Sequence, residues 1–593
     1  MYHYTEFDRQ FIKHRADQYR DQLERNLAGQ LGDDEFRPLR LQNGWYVQRY
    51  APMLRVAVPY GELSSAQIRV LATIARNYDL PSESVYQTAI TTQGKLGTGP
   101  MPIQYGHFTT RQNVQFNWIP LDKSADVMDL LASVDMHGIQ TSGNCIRNIT
   151  SDERAGIAVD EDVDPRPFCE ILRQWSTLHP EFAFLPRKFK IAVTGAKEDR
   201  AATQWHDVGL QLLRNAKGEV GFKVMVGGGM GRTPLLAQTF REFLPWNQIL
   251  NYLEAVVRVY NRWGRRDNIY KARIKILVKA EGQRFVSEVE AEYQQILELD
   301  GAHHTVSQSE LERVSACFEA PALQPHRSEA QAKSGVALLA LAQNDVEYGR
   351  WLKQNVAAHK NPQFRAVTLS YKRLGQAPGD ATADQLDMAA ELAEKFSAGE
   401  VRVTHDQNLL LPWVQADQLP QLWQAARLAG LARSNIRLLT DMIACPGGDF
   451  CALANARSIP IAHAITERYQ DLDELHDLGE IDLHISGCIN SCGHHHTGHI
   501  GILGVDKDGQ EWYQVLLGGS DGSTLSGPSS AAKVVGPSFG AQEVPDVIEA
   551  LLDCYRDQRH SGENFISTLR RVGFDTFKQA ANSTRHPAEH ATA

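Results

Sequence analysis

Several features that place a protein in a membrane, outside the cell or on nucleic acid are missing from this sequence of 593 residues. It has no run of about 18 apolar residues, so we expect no membrane-spanning segment. The first residues, MYHYTEFDRQFIKHR, lack the apolar stretch of a signal peptide, so we expect a cytoplasmic protein. The 61 Lys and Arg residues are outnumbered by 71 Asp and Glu residues, so we do not expect a general nucleic-acid binder, since phosphate contacts need a basic face.

Nucleotide-binding signals are missing as well. The glycine run VGGGMGR (Val226–Arg232) does not have the G-x-G-x-x-G spacing of a dinucleotide site, and the chain has no flavin signature. The protein is therefore not expected to take hydride from NADPH by itself. Two interpretations of the glycine run stay open, which are a close approach of the backbone to a large ligand and a plain turn.

An internal repeat is present. The pattern T-x-x-Q-N-x4-W occurs at Thr109–Trp118 and again at Thr404–Trp413, an offset of 295 residues. KIAVTG (Lys190–Gly195) resembles DLHISG (Asp482–Gly487) at an offset of 292, and a G-x8-GG pattern recurs at an offset of 291. Three matches in the same order indicate a duplicated chain.

The repeat divides the chain into halves of about 1–320 and 335–575, joined by a linker-like segment, Ala320–Gly335. A strand-like run and a helical pattern precede each T-x-x-Q-N-x4-W motif, and a further helical pattern follows it. The elements mix without regular βαβ alternation, which predicts the α+β class. The stretch from Tyr78 to Gly106 is rich in Gly, Thr, Pro and Gln and predicts a surface loop insertion.

Four of the eight cysteines are clustered, as Cys445-x5-Cys451 and Cys488-x3-Cys492. Four thiolates can hold an iron–sulfur cubane, and the nearby glycines allow backbone N–H groups to approach its sulfur atoms. A structural zinc site is the second interpretation, although zinc prefers a tighter spacing than C-x5-C. Unrelated buried thiols are the third.

The chain resembles a known family at these motifs. CPGGDFC, CINSCG, TTRQN, LPRKFK and VGGG occur in the order found in the sirohaem- and [4Fe–4S]-dependent nitrite and sulfite reductases. The pattern is most similar to the haemoprotein component of assimilatory sulfite reductase, and the resemblance extends from about residue 36 to 577.

The resemblance implies two cofactors and their ligands. A [4Fe–4S] cluster is held by four thiolates, and the sulfur of Cys492 also binds the sirohaem iron. Arg111 contacts the sirohaem carboxylates, and further basic partners are expected within Asn261–Lys279. A family arginine is replaced by His107, which puts the contacts around that position in doubt. The cluster ligands are Cys445, Cys451, Cys488 and Cys492.

The resemblance also implies an anion site in the first half. Arg55, Arg147, Lys188 and Lys190 match the family residues that grip sulfite oxygens and supply protons. Without the resemblance, the favoured interpretation of Lys188 and Lys190 is a solvated strand face.

The implied fold has two ferredoxin-like half-domains in a pseudo-twofold unit and two α+β domains that bind the cofactors. The half-domains are residues 1–140, with an N-terminal arm, and 331–435. The cofactor-binding domains are 141–330, which also carries the anion site, and 436–580. Residues 581–593 are expected to be a disordered tail.

The implied activity is the six-electron reduction of sulfite to sulfide for cysteine biosynthesis. The alternative on the same scaffold is a ferredoxin-dependent nitrite reductase, in which asparagine usually stands at the Lys190 position. Nitrite is expected as a secondary substrate, and the electron donor is either a diflavin subunit or a ferredoxin. A non-catalytic protein with four structural thiolates is a third hypothesis, and it would show no tetrapyrrole absorption.

Two smaller features allow more than one interpretation. His494, His495, His496 and His499 lie beside Cys492, but a separate metal there is the less favoured interpretation. Cys145 is expected to be an inert buried thiol, although some relatives link a cysteine near the haem to a tyrosine, for which Tyr46 is a candidate.

Overall fold

The structure, a computed structural model, describes residues 1–92, 101–321 and 345–585. Four β-sheets organise these residues, and they form two matched pairs. The strands are β1 (Trp45–Val47), β2 (Pro52–Val56), β3 (Glu62–Ser64), β4 (Tyr105–Phe108), β5 (Val114–Phe116), β6 (Thr150–Ser151), β7 (Ile191–Thr194), β8 (Val208–Arg214), β9 (Val220–Val226), β10 (Gln238–Pro245), β11 (Val356–Ala358), β12 (Phe364–Leu369), β13 (Asp380–Thr382), β14 (Glu400–Val403), β15 (Leu409–Gln415), β16 (Ile443–Ala444), β17 (Leu483–Ser486), β18 (Ile500–Lys507), β19 (Gln510–Leu517), β20 (Lys533–Val534) and β21 (Phe539–Gly540).

Helices are interspersed with these strands, which confirms the predicted α+β class. Among the described helices, none is long and apolar enough to cross a membrane. The helices are α1 (Glu6–Leu27), α2 (Asp33–Gln42), α3 (Ser65–Asn77), α4 (Glu83–Thr92), α5 (Ser124–Ala132), α6 (Arg166–Ser176), α7 (Ile249–Trp263), α8 (Ile274–Glu281), α9 (Gln283–Glu298), α10 (Gln308–Ser315), α11 (Val346–Asn355), α12 (Ala383–Phe396), α13 (Leu419–Leu428), α14 (Ile459–Arg468), α15 (Leu472–Leu478), α16 (Val544–Gln558), α17 (Phe565–Val572) and α18 (Phe574–Ser583).

The first pair of sheets is joined by exchanged strands. One sheet has the order β1-β2-β5-β4-β13 and the other β11-β12-β15-β14-β3, so each takes its last strand from the other half of the chain. In these pairs Asp380 lies opposite His107, and Glu62 lies opposite Arg402. A single hydrophobic core runs through both sheets and their helices. The two half-domains therefore form one pseudo-twofold unit.

The exchanged strands lead directly into two equivalent helices. Ser64 ends β3 and caps α3 by accepting the N–H of Gln67, and Thr382 ends β13 and caps α12 by accepting the N–H of Gln385. Each glutamine side chain bonds back to its cap residue, which completes a capping box. The α3 and α12 helices pack against each other. These are the helices predicted before each T-x-x-Q-N-x4-W motif.

The second pair of sheets has a different topology that is again repeated. β6, β7 and β8 run parallel to one another, and β9 and β10 are each antiparallel to the strand before them. β16, β17 and β18 run parallel, after which β19 returns antiparallel and pairs with β20 and β21. Each sheet has its own hydrophobic core. The segments KIAVTG and DLHISG form β7 and β17, so the predicted duplication is confirmed.

The repeated T-x-x-Q-N motif ties the halves together. Gln112 and Gln407 both have a positive φ, 58° and 61°. Nε2 of Gln112 donates to the carbonyl of Val403 (3.2 Å), and Nε2 of Gln407 donates to the carbonyl of Phe108 (2.9 Å). The side-chain oxygen of each glutamine accepts the N–H of the last residue of β6 or β16. One buried residue in each half thus connects three elements.

The predicted surface loop between Tyr78 and Gly106 is wrong in part. It contains α4, and Ala89 and Met101 are buried beside Trp118. The glycines that suggested a loop follow this helix, at positions within 93–100, outside the described residues. Composition averaged over the whole stretch therefore hid a short amphipathic segment.

The predicted tail and linker fall partly outside the described residues. α18 continues to Ser583, so the first residues of the predicted disordered tail are helical. Residues 586–593, and the linker from residue 322 onward, are not among those described.

Candidate active site

Three side chains of the first half converge on one backbone carbonyl. Nη1 of Arg147 (2.7 Å), Nη1 of Arg55 (3.4 Å) and the hydroxyl of Tyr46 (3.2 Å) all donate to the carbonyl oxygen of Thr141. The Arg55 guanidinium also lies 5.4 Å from the ring centroid of Tyr46. Burial raises the pKa of Tyr46, but the charges of the two arginines outweigh it and lower that pKa to about 8.

Lys188 and Lys190 flank a buried aromatic side chain. Phe189 is fully buried and forms a bridge with Ile146. Because the backbone is extended here, the two lysines point to the opposite side from Phe189. β7 begins only at Ile191, so the predicted one-sided pair precedes the strand itself. Within the described residues, neither ammonium group has a hydrogen-bond or ion-pair partner.

Burial lowers the pKa of both lysines. The pKa of Lys188 falls to about 8 even though the nearby Cys492 thiolate opposes the shift. Burial and the charge of Arg111 hold the pKa of Lys190 well below its ordinary value. Since these charges act on one another, the structure brings together the predicted anion-binding lysines, Arg111 and Cys492.

Arg111 and Arg273 complete the basic group. Nη2 of Arg111 donates to the carbonyl of Asn148 (2.7 Å), and burial lowers its pKa to about 9. Arg273 pairs with Asp207 at 2.7 Å, and the other carboxylate oxygen of Asp207 accepts the N–H of Lys190 (2.9 Å). The predicted stretch Asn261–Lys279 therefore contributes one arginine whose position is fixed by a buried carboxylate.

The four clustered cysteines lie on the loops that follow β16 and β17. Cys445 comes directly after β16, and its sulfur accepts the N–H of Gly487 at 3.2 Å. A Cβ at Gly487 would lie 2.5 Å from the carbonyl oxygen of Ala456, so a larger residue would not fit. The predicted approach of backbone amides to the cysteine sulfur is present.

The spacing of the four sulfur atoms argues against a single ion. Four thiolates on one zinc would lie about 3.8 Å apart, because each Zn–S bond is about 2.3 Å. In the part of the chain that the structure describes, no three of the cysteine sulfurs lie within 4.8 Å of one another. A cubane, whose thiolates bind different iron atoms, does not require the sulfurs to lie that close.

Cys492 is the exposed member of the four and faces the first half. Its backbone carbonyl accepts the hydroxyl of Thr110 at 2.9 Å. Thr110 belongs to the TTRQN motif, so the motif that joins the two halves also fixes the loop of Cys492. The basic residues of one half and the thiols of the other meet at this contact.

Two orphaned polar atoms indicate that the site accommodates an anionic cofactor. Nη1 of Arg111 and Nε of Arg55 are buried, and they have no hydrogen-bond partner among the described residues. Buried donors are normally satisfied, and a tetrapyrrole with eight carboxylates would supply acceptors. The residues therefore fit sirohaem, and the cysteine loops fit a four-thiolate cluster.

The glycine run forms a loop against the cysteine loop. Lys275 donates to the carbonyls of Gly229 (3.1 Å), Met230 (2.6 Å) and Thr233 (2.7 Å). Gly229 and Gly231 have φ values of 148° and 108°, which favour glycine. The close approach of this backbone to a cofactor stays a prediction.

The histidine tract makes separate contacts. Nε2 of His496 lies 3.0 Å from the carbonyl of Gly231, and Nε2 of His499 lies 2.9 Å from the hydroxyl of Ser526. His494 is half-buried, and His495 is fully buried. Burial lowers the pKa of all four imidazoles.

The structure shows the surroundings of His107 and Cys145. His107 is buried and contacts Asp380 of the exchanged strand at 2.7 Å. Cys145 donates to the carbonyl of Ser142 at 3.2 Å, on the same loop that Tyr46 reaches. Cys145 is half-buried rather than buried, while its inertness and its link to Tyr46 stay predictions.

Sequence reasoning missed Asp207 and did not single out Arg273 or Lys275. An isolated aspartate carries no motif of its own. The repeat gives one usable indication. Asp207 directly precedes β8, and at the equivalent position of the second half another titratable residue, His499, directly precedes β18.

Comparisons with known proteins agree with this geometry. The model of the nitrite and sulphite reductase 4Fe-4S domain matches residues 142–297 and 437–588, together more than half of the chain. The model of the nitrite/sulfite reductase ferredoxin-like half domain matches residues 368–429.

Similar proteins include both kinds of enzyme. An assimilatory ferredoxin-dependent nitrite reductase from Haloferax mediterranei is 27% identical over 88% of this chain and 82% of its own length. A ferredoxin sulfite reductase from Mycolicibacterium paratuberculosis is 27% identical over 78% of this chain and 76% of its own. The NirA protein of Mycobacterium tuberculosis has the same fold, with a TM-score of 0.71, 23% identity and 94% of both chains covered. The chain therefore belongs to the nitrite and sulphite reductases, oxidoreductases that carry a [4Fe–4S] cluster and sirohaem, as the sequence predicted.

Proposed function

We propose that the protein reduces sulfite to sulfide with six electrons, in sulfur assimilation and cysteine biosynthesis. The observation that carries this proposal is the surplus of positive charge beside Cys492. Lys188 and Lys190 have no counter-ion among the described residues, and Arg55 and Arg147 are held only by neutral groups. A dianion with three oxygens suits such a site better than a monoanion does.

We assign the cluster to the four clustered cysteines, and Cys492 is also the residue whose sulfur would hold the sirohaem. The cofactors, when bound, would relay electrons from the donor to the substrate and hold the substrate at the sirohaem iron. Arg111 and Arg273 then serve the carboxylates of the tetrapyrrole. Asp207 orients Arg273 and the backbone of Lys190.

The anion-site residues bind and protonate the substrate. Arg55 and Arg147 keep their guanidinium groups in place through the Thr141 carbonyl, so they can hold substrate oxygens without reorganising. A lysine with a pKa of about 8, such as Lys188, gives up a proton near neutral pH more readily than an ordinary lysine does. The three oxygens of sulfite leave as water after such proton transfers.

Lys190 is the proposed selector between sulfite and nitrite. Its ammonium group adds one cation that the asparagine of ferredoxin nitrite reductases would not supply. Nitrite is nevertheless expected as a secondary substrate, because it is a smaller anion that the same cations can hold.

We propose a ferredoxin as the electron donor. The chain carries no nucleotide or flavin motif, and the two relatives described above are ferredoxin enzymes by name. A diflavin subunit is the alternative donor. Steady-state reduction with each purified donor would distinguish the two.

The substrate proposal is tested by measuring kcat/KM for sulfite and nitrite with a reduced viologen, which bypasses the protein donor. We expect sulfite to be preferred. Lys190→Asn should lower kcat/KM for sulfite by at least about tenfold more than for nitrite, since one charged hydrogen bond is worth about 1.5–3 kcal/mol. Lys197→Asn, a change at an exposed lysine of the same domain, is the matched control.

Two results would contradict the proposal. A wild-type preference for nitrite would make the protein an assimilatory nitrite reductase. Equal losses on both substrates in Lys190→Asn, with an intact sirohaem spectrum, would remove Lys190 as the selector.

A further inference from the structure

A second cluster of metal-binding side chains lies in the first half, on elements other than those that carry the anion site. Glu254 lies on α7, and His303 and His304 lie on the segment that follows α9. One ligand atom from each of these residues lies within 4.8 Å of the other two. Among the described residues, this is the one group of three potential ligands with that spacing.

Glu254 presents a buried oxygen to the two imidazoles. The residue is 1% exposed, and its Oε2 atom has no hydrogen-bond partner in the described part of the chain. Nε2 of His304 lies 2.7 Å from this oxygen, but the contact lacks the alignment of a hydrogen bond. An unsatisfied buried carboxylate oxygen needs a compensating partner, and a cation between it and the imidazoles would supply one.

The other oxygen of Glu254 is already neutralised. Arg258 contacts Oε1 at 2.5 Å and also pairs with Asp300 (2.9 Å) and Glu292 (3.4 Å). The competing carboxylates around the cluster are therefore engaged by one guanidinium. Oε2 of Glu254 remains as the oxygen that faces the imidazoles.

The histidine segment is held in place by contacts to α7 and its N-terminal end. Asn251 accepts the N–H of His304 (3.2 Å) and donates to the hydroxyl of Thr305 (2.8 Å). Nδ1 of His303 lies 3.3 Å from the carbonyl of Asp300. Metal-bound histidines commonly donate their second nitrogen to a backbone carbonyl, which leaves Nε2 of His303 free to bind a metal.

We propose that Glu254, His303 and His304 form a binding site for one zinc ion. Two imidazole nitrogens and one carboxylate oxygen are a common three-residue ligand set for zinc, with the remaining position open to water. The ion would fasten the segment after α9 to α7. This site is separate from the cysteine loops and from the cation group at Thr141.

The test uses the full-length holoenzyme, in which the cluster cysteines are occupied. Zinc chloride is titrated by calorimetry, and retained zinc is measured by mass spectrometry after desalting. We expect one zinc per chain, and a binding constant at least about tenfold weaker in His303→Ala and in His304→Ala. Zinc should also raise the Tm of the wild type, because it binds only the folded state.

Two controls keep the result interpretable. His560→Ala removes an exposed histidine elsewhere and should leave zinc binding unchanged. His303 is exposed, so its replacement should preserve folding even if a change at buried Glu254 does not. Equal zinc affinity in the wild type and both histidine variants would overturn the proposal, as would the absence of saturable zinc binding to the wild type.

Discussion

The two halves place opposite chemistry at equivalent positions. Ile191 pairs with Val208, and Leu483 pairs with Ile500, so the loops between the paired strands are equally long. In one loop Cys492 stands eight residues before the second strand, and in the other Arg200 stands eight residues before it.

In the first half, an ion-pair network lies at the positions equivalent to the cysteine loops of the second half. Arg200 contacts Asp152 (2.7 Å), Asp160 (2.9 Å) and Glu198 (2.6 Å). Asp152 directly follows β6, as Cys445 directly follows β16. One framework therefore carries a buried salt-bridge network in the first half and, in the second half, the thiols that we propose bind the cluster.

The two halves also carry opposite charges at two further pairs of equivalent positions. Arg111 and Asp406 share one place in the repeated motif, and Lys190 and Asp482 both directly precede an inner strand. Asp406, Asp482 and Arg200 help line a cavity of about 90 Å³. The second half therefore has carboxylates where the first half has Arg111 and Lys190, the two cations placed beside Cys492.

The largest effect is expected from Cys492→Ser. A serine hydroxyl replaces the thiolate that the cluster and the sirohaem iron would share, so sulfite reduction with reduced viologen should be abolished. The absorption and electron paramagnetic resonance spectra should lose the signature of coupled cofactors. An unchanged spectrum would refute the bridging role.

Arg200→Met, at the equivalent position of the first half, should act on stability instead. Removing the guanidinium leaves Asp152, Asp160 and Glu198 partly buried without their partner, which should cost about 3–5 kcal/mol in the free energy of unfolding. Denaturant titration measures this loss, and the cofactor spectrum per folded protein should stay unchanged. A loss of cofactor with normal stability would mean that the two positions are not separated in function.

Gln112→Ala and Gln407→Ala should have effects similar to each other. Each variant leaves buried backbone groups of both halves without a partner, at a cost of about 1–3 kcal/mol per group. Unfolding midpoints should therefore fall by comparable amounts in the two variants. A loss confined to one variant would show that the pseudo-twofold joint is held from one side.

A further effect concerns the dependence of stability on pH. The Asp79 carboxylate accepts the N–H of Trp118 (2.8 Å), whereas the hydroxyl of Ser397 accepts the N–H of Trp413 (3.1 Å) at the equivalent position. Burial raises the pKa of Asp79 to about 7 from an ordinary value of 3.8. The folded state thus binds this proton more tightly than the unfolded chain does, so the stabilisation is full below about pH 4 and is lost as pH rises through about 7.

Asp79→Asn removes that titration. The stability of the variant relative to the wild type should increase by about 1.4 kcal/mol per pH unit between pH 5 and about pH 7, and level off at higher pH. Ser397→Ala is the matched control and should differ from the wild type by the same amount at every pH. Parallel profiles for Asp79→Asn and the wild type would contradict the assignment.

Features carried by a few neighbouring residues could be predicted from the sequence, whereas contacts between distant segments could not. The cysteine loops and the T-x-x-Q-N motif are short patterns, so spacing and repetition located them. The exchange of β3 and β13 was not predicted, because those strands pair with residues of the other half and leave no mark on their own sequence. Asp207 was missed because its role depends on Arg273, which lies on a distant segment.

The exchanged strands also constrain the order in which the protein can be completed during synthesis. Until residues 380–382 have left the ribosome, the edge of β4 has no partner, and an uncovered strand edge invites pairing with other chains. The first half can close its sheet only after the first part of the second half has been made. The sheet that carries Arg55 is therefore completed only when part of the second half has emerged, so the two halves cannot fold strictly one after the other.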